Sequence, residues 1–136
     1  MSRTARLYGA VALGSALGAL ARYLCSLGLL AVFGAGFPVG TLAVNVAGSF
    51  LIGLFATLTE PGGRLLASPP ARQFVLAGFC GGFTTFSVFS LETLFLLESR
   101  AFHLAALNLG VSVILWLAAV WLGWRIGARL NRLKGS

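Results

Sequence analysis

The sequence predicts an all-α integral membrane protein of four transmembrane helices, and three observations predict it. Of its 136 residues, 58% are hydrophobic and 10% charged, too few charges to cover a soluble surface. Mean hydropathy is +0.94. Four apolar stretches, roughly 7–33, 39–58, 73–97 and 104–124, are each about 20 residues or more, enough for a hydrocarbon core of roughly 30 Å.

The first stretch follows "MSRTAR", which imitates a signal peptide. It is longer than a secretory apolar core and three more spans follow, so it reads as a retained helix. Gly14, Gly18 and Arg22 recur in it at intervals of four. The glycines suit close helix packing. Arg22 suits either pairing or snorkelling, or an attraction for anions at an entrance.

The second stretch, "VGTLAVNVAGSFLIGLFATL", carries Thr41, Asn45, Ser49 and Gly53 four residues apart, one stripe drifting around a helix. The fourth carries Asn108 and Ser112 at the same interval. For these polar positions the spans alone leave interhelical packing and a conduction lining equally open.

The third stretch contains "GFCGGFTTFSVFS" (78–90), with Gly81–Gly82 next to Thr84–Thr85 at mid-membrane. This is poor helix material and predicts a break. Broken backbone at this depth is tolerated only when buried in protein or lining a polar site. Freed carbonyls suit a hard cation, whereas side-chain donors and the positive edges of aromatic rings suit an anion. Phe86 and Phe89 share a face just past the break, a spacing that by itself reads as a packing stripe. Glu92 follows, and is expected to be paired or capped away from any anion.

The connections are short: "GAGFP" (34–38), "TEPGGRLLASPPAR" (59–72) and "ESRAFH" (98–103). They leave no separate soluble domain, so 1–136 is one unit. Cys25 and Cys80 are too far apart, at lipid level, to form a disulfide framework or metal site. His103 has no companion ligand, and no nucleotide-binding loop, nucleophile–base pair or paired carboxylates appear, which argues against an enzyme. The net charge of +7 lies at the ends and in one loop rather than on a face with interleaved aromatics. It suits membrane-edge anchoring and not nucleic acid.

Three blocks, "GALARY" (18–23), "GTLAVNVAGSFLIG" (40–53) and "GFCGGFTTFSVFSLE" (78–92), make the chain resemble the Fluc/CrcB family of bacterial fluoride channels over essentially its full length. The resemblance implies a broken third helix and an antiparallel, dual-topology homodimer in the bacterial cytoplasmic (inner) membrane. It implies two fluoride pathways and one structural sodium ion at the dimer centre. It assigns Phe86 and Phe89 to the fluoride lining, Asn45 to the donor facing them, and Ser112 to a polar track on the fourth helix. Thr41 and Asn108 join this pathway and Arg22 its vestibule. It places sodium on the Gly81 and Thr84 carbonyls. Two departures stand out: Val88 replaces a common threonine, and Asn108 replaces a common tyrosine whose aromatic role it cannot take. The implied activity is passive export of fluoride, which enters as HF, dissociates inside and is toxic when trapped.

Two rival readings are weaker. A small four-span proton-coupled drug exporter needs a carboxylate in its first helix, and this first span has none. A non-transporting assembly subunit would use its polar residues for packing alone. Orientation argues with the family pattern. Arg3, Arg6, Arg64, Arg72, Arg125, Arg129, Arg132 and Lys134 fall on one side and only Arg100 on the other, which favours both termini in the cytoplasm. The alternatives are a homodimer that inserts both ways despite this bias, or a sister chain of opposite topology. The completeness of the lining and sodium motifs in one chain favours the homodimer.

Overall fold

The computed structural model describes residues 2–133, so Lys134 lies outside the described residues. Its four long helical spans are apolar enough to cross a membrane: Arg3–Phe33, Val39–Leu58, Pro69–Glu98 and Phe102–Arg132. Helix α1 (Arg3–Phe33) starts earlier than the apolar run because Ser2 caps it, its side chain accepting from the Ala5 N–H at 3.2 Å. Helix α2 is Val39–Leu58.

The third span begins as α3 (Pro69–Gln73), with Ser68 at the cap and proline in the first turn. It widens into a π-helical turn, Phe74–Cys80, and returns to α-helix at α4 (Gly81–Phe83). Thr84 (φ −86°, ψ 160°) and Thr85 (φ −153°, ψ 120°) are extended, and α5 (Phe86–Glu98) follows. Gly81 is helical (φ −64°, ψ −39°), so the extended residues are the threonines and not the glycines. The tight turn after α5 puts Arg100 in the left-handed region (φ 58°) and leads to α6 (Phe102–Arg132). His103 therefore sits in the first turn of α6, exposed.

Two glycine-lined crossings bind the spans together. Gly14 and Gly18 of α1 lie on the backbone of Phe74 and Phe79, while Gly78 and Gly82 lie on Val11 and Ser15. Gly53 of α2 lies on Val120, and Gly123 of α6 on Phe50. A methyl group at any of these positions would meet main chain, so the glycines set the interhelical distance. The α2 stripe drifts as its spacing requires: Thr41 and Asn45 reach the third span, and Gly53 reaches α6.

Asn131 fastens the second connection to the end of α6. Its Nδ2 donates to the Thr57 carbonyl at 2.8 Å, and its Oδ1 accepts the Arg64 N–H at 2.8 Å. Arg64 Nη1 also donates to the Leu130 carbonyl at 3.3 Å. The start of α1 packs on α3. The basic residues of the N-terminus, second connection and α6 end thus share one end of the bundle.

Candidate functional site

The site is built where α2 meets the extended threonines. Asn45, buried on α2, donates from Nδ2 to the Thr85 carbonyl at 2.9 Å and accepts the Thr85 N–H on Oδ1 at 2.7 Å. Both backbone groups of a non-helical residue are thereby satisfied inside the membrane. The Thr85 hydroxyl caps α5 by accepting the Val88 N–H at 3.1 Å. Gly48 leaves room for the Thr84 methyl, which a side chain there would strike.

These bonds redirect two donors. In a continuous helix the Gly81 carbonyl would receive the Thr85 N–H, and the Thr84 carbonyl the Val88 N–H. The first goes to Asn45 and the second to the Thr85 hydroxyl. Beside Gly81 the space is open, with nothing within 4 Å of a Cβ built there.

A cleft of about 360 Å³ opens over this region. Asn45, Ser49, Gly81, Thr84, Phe86 and Trp116 are on its wall, which carries no charged residue. Phe86 is 71% exposed, whereas Phe89 is 4% exposed, so their shared helical face divides into an outer and an inner ring. The two centroids are 5.6 Å apart. Phe89 meets Trp116 edge to face, 4.8 Å away and 74° inclined.

Behind Phe89 runs a buried chain of hydrogen bonds. Ser112 (0% exposed) donates to Asn108 Oδ1 at 3.3 Å, and Asn108 (1% exposed) donates to Thr93 Oγ1 at 2.9 Å. Thr93 donates to the Phe89 carbonyl at 2.8 Å. Asn108 and Ser112 thus join α6 to α5 and reach the Phe89 backbone through Thr93.

Thr41 is separate from this cluster. Its hydroxyl donates to Glu92 Oε1 at 2.8 Å, in a second cleft of about 510 Å³ near the first connection. Arg22 is half-buried on α1 and makes no ion pair or hydrogen bond among the described residues. The sequence-predicted residues therefore fall into three groups: Asn45, Gly81, Thr84 and Phe86 around one cleft, with Phe89, Asn108 and Ser112 behind it; Thr41 at the other cleft; and Arg22 apart. The sequence marks Thr85 only as part of the break beside Gly81–Gly82, and nothing local marks Thr93 or Trp116.

Residues 9–124 match the family described as CrcB-like protein, Camphor Resistance (CrcB). The chain is 54% identical over 132 residues to a Rhodopseudomonas palustris protein named fluoride-specific ion channel FluC 1, covering 97% of this chain and 94% of that one. It is 52% identical over 134 residues to a Bradyrhizobium diazoefficiens protein of the same name, covering 98% and 93%. To the fluoride-specific ion channel FluC of Opitutus terrae it is 53% identical over 131 residues, covering 96% and 98%. With identity this high across nearly the full length of each relative, and with a family match over residues 9–124, the chain belongs to the CrcB family.

Proposed function

We propose that this chain is a passive, fluoride-selective channel of the bacterial cytoplasmic membrane, working as an antiparallel homodimer that lets cytoplasmic fluoride escape. The observation that carries the reading is the cleft at Thr85. It offers neutral donors and aromatic rings with no charged group on its wall. Fluoride holds water tightly, so a pathway must replace much of that shell. Asn45 Nδ2 has two hydrogens and uses one on Thr85, which leaves one for an anion. Phe86 and Phe89 supply positive ring edges. Each contact is weak, as conduction requires, since the ion must also leave. Ser112 and Asn108 serve as the polar track behind Phe89. Thr41 marks the far end and Arg22 draws anions to the vestibule.

A single chain would turn this cleft and the exposed Phe86 ring to lipid. A second copy of opposite orientation closes it and completes two pathways. The same pairing brings the open side of Gly81 to the centre. There the redirected donors leave the Gly81 and Thr84 carbonyls suited to a sodium ion, a hard cation that takes oxygen ligands. The ion would tie the two copies together and take no part in fluoride passage.

Purified chain in liposomes tests the reading. Fluoride should leave down its gradient far faster than chloride, with no added energy source. Equal release of the two ions, or release of neither, would overturn it.

A further inference from the structure

Among the described residues, two buried side-chain polar atoms have no hydrogen-bond partner: Glu92 Oε2 and Trp116 Nε1. Buried polar groups are nearly always bonded, and an indole N–H is a donor with no capacity to accept. What completes Trp116 must therefore be an acceptor. Its position narrows the choice. Trp116 stands one helical turn beyond Ser112 and two beyond Asn108, extending their row along α6. It is on the same cleft wall as Asn45, Thr85 and Phe86. Its ring packs edge to face on Phe89, which fixes its attitude.

We propose that the Trp116 indole N–H is a further hydrogen-bond donor to fluoride, acting where the ion passes Phe86 and Phe89. The proposal rests on the channel reading above and adds a residue that the family motifs do not mark. A rigid N–H on a ring held against Phe89 offers a directed contact to an anion. A cation gains nothing from it. Being neutral and single, it binds weakly enough to release the ion. Glu92, whose Oε2 is the other unpaired buried atom, is on the other cleft.

Two measurements on the full chain decide it. Trp116→Phe keeps an aromatic ring against Phe89 and removes the N–H. Fluoride efflux from liposomes should fall about tenfold, the scale of one hydrogen bond to a charged group, while the chain still assembles. In the unaltered chain, the indole 1H–15N signals of the three tryptophans are followed through titrations with sodium fluoride and sodium chloride. The signal missing from the Trp116→Phe spectrum should move with fluoride and not with chloride, while those of Trp121 and Trp124 stay. A Trp116 signal that ignores fluoride gives the N–H to an acceptor on a second copy and overturns the proposal, as does efflux at the unaltered rate from Trp116→Phe. If the unaltered chain passes no fluoride at all, the channel reading fails, and the titration still decides whether the indole binds the ion.

Discussion

The carboxamide of Asn45 grips Thr85 at both of its backbone groups, 40 residues away in sequence, through bonds of 2.9 and 2.7 Å. Asn45→Ala should cost about 2–4 kcal/mol, because it leaves a buried N–H and a buried C=O without partners. Thermal unfolding in detergent reads this cost, and fluoride flux should vanish with it. Asn45→Asp keeps an acceptor for the Thr85 N–H and should lose less stability. It sets a negative charge on an anion path, so its flux should fall to the level of the alanine variant. Undiminished flux in the aspartate variant would remove Asn45 from the pathway.

Phe86 and Phe89 should separate on substitution, although their spacing made them look equivalent. Phe89→Ile opens a buried contact with Trp116 and should cost about 1–3 kcal/mol as well as flux. Phe86→Ile changes a ring that is exposed within one chain, so it should cost the fold of that chain less than Phe89→Ile does while still slowing fluoride. Parallel melts and efflux assays check both, and normal flux in the two variants would reduce the rings to packing.

Sodium should stabilise the assembled pair and not the single chain. Exchange of sodium for a large organic cation should lower the dimer melting temperature and weaken self-association, read by cross-linking at fixed protein concentration. Fluoride should fail to substitute for the cation. Identical melting and association in both salts would leave the Gly81 and Thr84 carbonyls without an ion.

Orientation is the sharpest test of the homodimer. Within the described residues, seven arginines gather at the end of the bundle where Asn131 ties the second connection to α6, against Arg100 at the opposite end. A terminal cysteine tag, in a chain with Cys25→Ser and Cys80→Ala, should be labelled from both faces of intact cells. Labelling from the cytoplasmic face alone, together with no flux from the purified chain, would require a sister chain.

The four spans were legible because nothing in the sequence competes with their apolar runs. Their ends were less so. Ser68 with Pro69 and Pro70 is a capping signal inside a segment that reads as a break, and α6 outruns its apolar stretch as far as Arg132. The sequence groups Gly81–Gly82 with Thr84–Thr85 as the break, and only the threonines are extended. Gly81 and Gly82 have low helix propensity, yet they stay helical. Thr85 leaves the helix because Asn45, a distant residue, offers its backbone better partners. The same reason hides Thr93 and Trp116: their meaning lies in what α5 and α6 bring beside them, and no local pattern carries that. The π-helical turn at Phe74–Cys80 has no sequence signal that we can name.

Gly81 stands apart from the glycines around it. Gly78 and Gly82 admit the backbone of α1, and a side chain on either would push two helices apart. Gly81 is helical, needs no left-handed backbone, and faces empty space within its own chain. Alanine there would favour the helix by up to about 1 kcal/mol. In the homodimer proposed above, that open side is where a second copy would come close, and a methyl group there would stand between the two chains. The sequence that folds best alone and the sequence that assembles best would then part at this position.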